Sequence, residues 1–295
     1  MNKYTSIKTC IIDSWKEFAT NTKAYVKYLW LHLLIAGLGF SIFTAECSYI
    51  YSNNIIPTRL LKESGLTEEV AKAIHGPSLQ IVGIGILALL AFLLANYLMQ
   101  GAIFSQIRFY KATGNLPDMG AFGFWSEIKK DGLHTFVIDL IIALSISVCV
   151  GIITLIAWLT SWWVLLLAIP ILLYWTIIGT SGRLLYIVEK CSLKQAIKGA
   201  FQTGHHKFGG YLILLLLTSI PLLLIIAIAI QPVVVYLFAN NANAINQLIS
   251  EPSGMPSYTL ILYFITATLS MCIMGFAYAL QQMPLALYTA AVHKK

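Results

Sequence analysis

Six long apolar runs dominate the chain, and short polar segments separate them. The runs cover roughly 28–50, 79–104, 133–157, 161–188, 208–238 and 258–291. An α-helix rises about 1.5 Å per residue, so about 20 apolar residues cross the roughly 30 Å hydrocarbon core of a bilayer. The pattern therefore predicts an all-α membrane protein with about six transmembrane helices.

The connections suggest how these helices pair. The third and fourth runs are joined by a very short link around Leu159–Trp162, which favours a tight antiparallel hairpin because short connections join neighbouring helices. Extending this pairing to the other runs gives three hairpins.

Three segments ahead of the odd-numbered runs share an amphipathic pattern with lysines close by. Their apolar positions recur at helical spacing: Ile7, Ile11, Trp15 and Phe18; Phe122, Trp125 and Ile128; Leu193, Ala196, Ile197, Ala200 and Phe201. Each segment predicts an amphipathic helix at the cytoplasmic interface that leads into a hairpin. We interpret residues 1–295 as a single polytopic membrane domain with pseudo-repeats at about 5–115, 116–191 and 192–295. The alternative is that basic amphipathic segments commonly precede membrane hairpins, without any repeat.

Ungapped shifts of the sequence give a register for the repeat. A shift of 183 positions superimposes Phe18 on Phe201 and Tyr28 on Tyr211. A shift of 110 positions superimposes Gly37 on Ser147 and Ser41 on Gly151, which belong to stripes of small residues in the first and third runs. Small residues four apart allow close approach of helix backbones, so each stripe is a candidate surface for helix packing. The stripes are Gly37, Ser41 and Ala45, and Ala143, Ser147 and Gly151.

Composition supports the membrane class. The chain is 58% hydrophobic and 11% charged, whereas soluble domains carry roughly 25% charged residues. The net charge of +7 is spread over short segments between the apolar runs. A nucleic-acid-binding protein would instead concentrate its positive charge on one soluble face. We therefore expect no nucleic-acid partner.

The basic residues predict the orientation. Sixteen of the 19 Lys and Arg lie in the N-terminal segment, the second-to-third and fourth-to-fifth connections, and the C-terminal tail. Only Arg59, Lys62 and Lys72 lie on the other side. Since Lys and Arg are enriched in cytoplasmic loops, both termini are predicted to be cytoplasmic.

Cysteine spacing and known motifs indicate no enzyme. The five cysteines lie in different segments, none at a C-x-x-C spacing, which argues against a disulfide framework or a zinc site. The nucleotide-binding motif G-x-x-x-x-G-K-[ST] and the hydrolase motifs H-E-x-x-H and G-x-S-x-G do not occur. We expect neither a metal nor a cofactor.

Asp139 is the most unusual residue of the apolar runs. A carboxylate in hydrocarbon is costly, so such groups usually face a cavity or a partner. Asp139 is a candidate proton, cation or substrate site, and His32 is its hypothetical partner if the first and third helices pack together. The alternatives are that Asp139 lies near the interface and pairs with a nearby Lys, and that His32 is a structural residue.

Further polar groups extend this candidate site. Asn96, Gln281 and Gln282 lie in the second and sixth runs. They would either line a solute path or form hydrogen bonds between helices, with about 0.6 kcal/mol typical for each bond.

Four basic residues are candidate contacts for lipid headgroups. Arg108 and Arg183 lie near the inner ends of even-numbered runs, and Lys198 and Lys207 lie in the connection before the fifth run. Anionic headgroups attract basic residues at this depth. The alternative is the general enrichment of Lys and Arg on the cytoplasmic side.

One stretch carries a resemblance to a known family. The sequence CSLKQAIKGAFQTGHHKFGGYLILLLL, with Ala196, Ala200, Phe201 and Phe208, resembles the start of a spanning helix in a family of bacterial six-helix membrane proteins. That family includes the membrane domain attached to some glycerophosphodiester phosphodiesterases. The catalytic domain of those enzymes does not occur here, so the resemblance implies a fold and no activity.

Two functional classes follow. The favoured one is a non-enzymatic inner-membrane protein: a scaffold, a partner subunit or a lipid-organising factor. The alternative is a transporter or permease component for a small solute, ion or lipid, with a polar site near Asp139. The expected partners are membrane lipids, and a protein partner or a second copy of the chain fits the first class.

Overall fold

The fold consists of helices throughout the part that can be described. The computed structural model describes residues 6–51, 79–115, 120, 122–123, 125–248, 254–256 and 258–293. A short 3₁₀ helix, Trp162–Leu167, precedes α5. The α-helices are α1 (Ile7–Thr20), α2 (Thr22–Ile50), α3 (Leu79–Thr113), α4 (Trp125–Leu159), α5 (Ala168–Ile187), α6 (Leu193–His206), α7 (Phe208–Ala229), α8 (Gln231–Leu248) and α9 (Thr259–His293).

Among the described residues, six helical segments are long and apolar enough to cross a membrane, in agreement with the predicted number. They are Thr22–Ile50, Val82–Thr113, Trp125–Leu159, Trp162–Ile187, Phe208–Ala244 and Thr259–His293. The fifth segment contains two helices, α7 and α8, which are interrupted at Ile230. Pro232 has no backbone N–H, so it cannot continue the hydrogen bonds of α7 across this point. The side chain of Gln231 donates to the carbonyl of Ala227, near the end of α7, at 2.8 Å.

The helices that precede the first and fifth spans are separate elements. A single residue, Asn21, separates α1 from α2, and Lys207 separates α6 from α7. The first turn of α6 is stabilised by a capping box, in which Ser192 and Gln195 satisfy each other's backbone N–H groups.

The segment before the third span differs from the prediction. We expected a separate amphipathic helix around Phe122–Ile128, but α4 begins at Trp125 and runs without interruption through Leu159. Phe122 therefore lies before α4, whereas Trp125 and Ile128 belong to the first turn of the span itself. Ile128 is fully buried there, because it faces α3 at a close helix crossing.

The chain divides into two compact units. The first contains Met1–Leu29, Tyr97–Leu222 and Ala277–Lys295, and the second contains Trp30–Asn96 and Leu223–Phe276.

In the first unit, α3 and α4 cross with their backbones in contact. A Cβ added to Gly132 would lie 2.7 Å from the carbonyl oxygen of Tyr97. A Cβ added to Gly101 would collide with the carbonyl oxygen of Ile128. Only glycine permits this approach, and the close crossing brings the charged C-terminal end of α3 against the N-terminal turns of α4.

The helices α4 and α5 pack antiparallel in the same unit. The ring of His134 contacts that of Tyr186, and the side chain of Ile142 would meet a Cβ on Gly179 at 2.9 Å. Residues later in α4 therefore contact residues earlier in α5.

The helix α6 packs on α5 through small residues. A Cβ on Gly182 would lie 3.2 Å from Ala200, and one on Gly204 would lie 3.3 Å from Ile178. The small face of α6 is thus buried against α5, while Lys194 and Lys198 are exposed on its other side.

In the second unit, α2 packs against α9. A Cβ on Gly37 would lie 2.7 Å from the carbonyl oxygen of Thr268, and Thr44 shares a hydrogen bond with Tyr263. Tyr263 also stacks on Tyr236 of α8, with 4.0 Å between the ring centroids. The predicted small stripe of α2 therefore serves a crossing with α9.

Among the described residues, the corresponding stripe of α4 does not form a helix crossing. Ala143, Ser147 and Gly151 are exposed, and a Cβ on Gly151 would meet nothing within 4 Å in the described part of the chain. The sequence pattern alone did not distinguish a packed stripe from one on an exposed face.

Candidate functional site

An ion pair lies between two membrane-spanning helices of the first unit. The guanidinium of Arg183 on α5 binds the carboxylate of Asp139 on α4. Arg183 also donates from Nη1 to the hydroxyl of Tyr278 on α9 at 2.9 Å. The side chains of Arg183 and Asp139 are only 22% and 19% exposed, so each charge depends largely on the other for its stabilisation.

The antiparallel geometry explains why these two residues meet. Asp139 and Arg183 each lie 22 positions from Ser161, which follows the end of α4. In two antiparallel helices, residues equally far from the turn lie opposite each other. Sequence reasoning identified both residues but assigned them to different candidate sites, and it missed Tyr278.

A second, larger ionic cluster lies where the C-terminal end of α3 meets the first turns of α4. Arg108 binds the carboxylates of both Glu127 and Asp131, the latter at 2.6 Å, and donates to the carbonyl oxygen of Ile187 at 3.5 Å. Lys111, one turn further along α3, binds Glu189 just beyond α5. These ion pairs connect α3, α4 and the end of α5. We call the region around Arg108, Lys111 and their carboxylate partners the basic end.

A cavity of about 140 Å³ opens beside this cluster. Most of the residues that line it are charged, and a histidine, a tyrosine and a cysteine complete the lining. The lining residues are Arg108, Glu127, Lys130, Asp131, His134, Tyr186, Lys190 and Cys191.

The thiol of this cavity is not activated. Burial and the nearby carboxylate of Glu189 raise the pKa of Cys191 above its usual value, while Lys111 acts in the opposite direction. Because the thiolate is the nucleophilic form, Cys191 is poorly suited to covalent catalysis at neutral pH.

A separate apolar groove of about 110 Å³ lies between α4, α5 and α6. Ser145 is the single hydroxyl-bearing residue among those that line it, and Trp175 contacts Phe201 edge-on at 6.0 Å between ring centroids. Ile197 and Phe201 of α6 are 37% and 41% exposed at its rim. The lining residues are Ile138, Ile141, Ile142, Ser145, Trp175, Ile178, Gly179, Gly182, Ile197, Ala200 and Phe201.

The residues of the predicted polar site are divided between the two units. Asp139, Gln281 and Gln282 belong to the first unit, whereas His32 and Asn96 belong to the second. His32 is buried, and Asn96 is half-buried. Gln281 donates to the hydroxyl of Ser219 at 2.8 Å, a bond between helices. Gln282 is buried, and Asp139 is bound by Arg183.

The four predicted headgroup contacts fall into two groups. Arg108 and Arg183 bind carboxylates of the protein, whereas Lys198 and Lys207 are exposed. Among the residues that the structure describes, no three His, Cys, Asp or Glu side chains lie together as a metal site would require.

Comparisons with protein families, with curated proteins and with solved structures give no match for this chain. Its function is therefore inferred from the chemistry of its own residues.

Proposed function

We propose that this chain is a non-enzymatic integral membrane protein that organises lipid at one membrane face. The groove between α4, α5 and α6 carries the proposal. It is apolar, it lies along two spanning helices, and its rim belongs to a helix with exposed lysines. An acyl chain fits such a groove, and the lysines attract an anionic headgroup at the same helix.

The helix α6 has an apolar side at the groove and a basic side away from it. Ile197 and Phe201 lie one turn apart at the rim of the groove, and Lys194 and Lys198 follow the same spacing on the exposed side. A lysine stem covers apolar surface while its ammonium stays in water or near phosphate groups. The helix therefore presents an acyl-binding edge and a headgroup-binding edge.

A transporter built around Asp139 has less support. The carboxylate is bound by Arg183, and the arginine is also held by Tyr278. Binding of a cation or proton at Asp139 would have to disrupt this pair. We interpret the pair as a structural lock between α4 and α5.

The orientation and cellular location belong to the same proposal. We infer that the basic end faces the cytoplasm, that both termini lie on that side, and that the membrane is a bacterial inner membrane. The resemblance of the α6–α7 segment to six-helix bacterial membrane proteins fits this location. An alkaline phosphatase fusion after Ala242 should be active and one after Gln195 inactive. The reverse pattern would refute the orientation.

The groove is tested by filling it. Ser145→Phe places an aromatic ring in the groove, whereas Leu144→Phe adds the same ring type at a neighbouring position of α4 that is 59% exposed and does not line the groove. A photoactivatable phospholipid should cross-link to Ile197 and Phe201 in the wild type and in Leu144→Phe. These cross-links should be lost in Ser145→Phe.

The proposal fails if Ser145→Phe, still folded, retains the cross-links. It also fails if the cross-links spread evenly over other exposed apolar residues of the spans. A cross-linked protein in place of the lipid would favour the partner-subunit alternative.

A further inference from the structure

The charges around the cavity at the basic end are unevenly compensated. Its lining has three permanent cations, Arg108, Lys130 and Lys190, and two carboxylates, Glu127 and Asp131. Both carboxylates are bound by the same arginine. In the described part of the chain, neither Lys130 nor Lys190 has a carboxylate within 4 Å, although the charge of Lys190 acts to lower the pKa of Asp131. Three cations against two carboxylates leave the lining with a net positive charge and two ammonium groups at its wall.

The backbone at Lys190 is unusual. Its φ of 54° makes it the only non-glycine residue with a positive φ among those described. The N–H of Glu189 donates to the carbonyl of Leu184, and that of Cys191 donates to Leu185, both at 3.2 Å, which closes the C-terminal end of α5. Glycine is strongly preferred at such a position, because a Cβ is disfavoured in the left-handed conformation.

A lysine at this position therefore weakens the helix end and places an ammonium group at the cavity wall. Lys130 reaches the same cavity from the second turn of α4, and His134 lies one turn beyond it. Side chains from α4 and from the segment just after α5 thus share one opening.

We propose that this cavity binds a phosphate group, held by Lys130 and Lys190 beside the Arg108 cluster. A net charge of +1 from the permanent charges of the lining complements an anion. The volume of about 140 Å³ is similar to an engineered cavity of about 150 Å³ that accommodates benzene, so a tetrahedral oxyanion fits. The phosphate group belongs either to a lipid headgroup or to a soluble phosphate.

This site is separate from the apolar groove, and binding here does not depend on the proposed acyl-chain site. The cavity is lined by α3, the first turns of α4 and the end of α5, and no lining residue is shared with the groove.

Lys190→Gly is the most informative substitution. It removes the ammonium group and also relieves the backbone strain, so the variant should be at least as thermally stable as the wild type without ligand. A purely structural role for Lys190 predicts the opposite. Lys130→Gln removes the second ammonium group. Lys129→Gln is the matched control, because the Lys129 ammonium lies over the ring of Trp125, 5.8 Å from its centroid, and does not line the cavity.

The measurement is the shift in thermal unfolding of the full chain with inorganic phosphate, at constant ionic strength set with chloride, in phosphatidylcholine nanodiscs. Phosphate should stabilise the wild type and Lys129→Gln. The apparent affinity should fall about tenfold or more in Lys190→Gly and in Lys130→Gln, the loss expected for one charge-assisted hydrogen bond.

A second arm identifies the source of the phosphate. Phosphatidylglycerol should compete with inorganic phosphate for the site if a lipid headgroup is the natural ligand, and it should not compete if the ligand is soluble. Equal responses of all four proteins, or no response of the wild type to either probe, would overturn the proposal. Ser145→Phe should keep the phosphate response, so loss of the groove and loss of this site are distinguishable.

Discussion

The pairing of Asp139 with Arg183 makes a strong prediction about stability. Asp139→Asn removes the negative charge and, among the described residues, leaves the guanidinium of Arg183 with the hydroxyl of Tyr278 as its remaining hydrogen-bond partner. Two unit charges about 4 Å apart interact by about 4 kcal/mol at an effective dielectric constant of about 20. Breaking a buried pair by removing one partner costs about 3–5 kcal/mol. We therefore expect Asp139→Asn to lower the free energy of unfolding by about 3 kcal/mol.

Arg183→Gln should lower the free energy of unfolding by less than Asp139→Asn does. In Arg183→Gln, the carboxylate of Asp139 can take up a proton and become neutral, which a guanidinium cannot do by losing one. The double variant carries neither charge and should be more stable than the sum of the two single effects predicts. The coupling energy should reach about 1–3 kcal/mol.

Asp131→Asn is the matched control for this cycle. Asp131 is another carboxylate on α4 bound by an arginine, and it is more deeply buried than Asp139, but Arg108 keeps Glu127 as a second partner. Its loss should therefore cost clearly less than the loss of Asp139. The assay is reversible unfolding in mixed micelles, followed by a helix signal. A coupling energy within about 0.5 kcal/mol of zero between positions 139 and 183 would refute the structural lock.

Two further predictions concern packing and burial. Gly101→Ala should destabilise the protein by about 1–3 kcal/mol, because its methyl group would collide with the carbonyl of Ile128. Gly151→Ala should be neutral or slightly stabilising. Unfolding titrations of both variants compare the two effects. Burial, and to a lesser extent the charge of Asp13, raises the pKa of Cys10 to about 12. Cys10 should therefore resist thiolate-directed alkylation at pH 8 in the folded protein and react after unfolding. Rapid labelling of Cys10 in the folded chain would contradict its burial.

The number of spans was predictable because it depends on hydropathy and length alone. Helix ends were harder to predict. The second pseudo-repeat lacks a separate first helix, because residues from Trp125 continue directly into the span. The interruptions at Asn21 and Lys207 lie 186 positions apart, three more than the register of the ungapped shift. Such breaks depend on packing partners, which the sequence pattern does not specify.

With the 186-position register, buried residues of α2 and α7 correspond. It superimposes Tyr25 on Tyr211, and both are buried with their hydroxyls directed to α9, at Met283 and Thr289. The triplication itself stays a prediction, but this correspondence supports a relation between the first and third pseudo-repeats.

The candidate site was only partly predictable. The apolar surroundings of Asp139 marked it as unusual, and the short link near Ser161 contained enough information to place Arg183 opposite it. Nothing in the local sequence marks Glu127, Asp131 or Glu189 as the partner of a particular arginine or lysine. The cavity and the groove arise from helix packing, so they could not be derived from hydropathy or charge patterns.

The most direct test of the lipid-organising role is native mass spectrometry of the protein released from mild detergent. The wild type and Leu144→Phe should each retain phospholipid in a defined ratio, and Ser145→Phe should lose it while keeping its thermal stability. Equal lipid retention in all three proteins, or a tightly bound small solute in place of phospholipid, would contradict the proposed function.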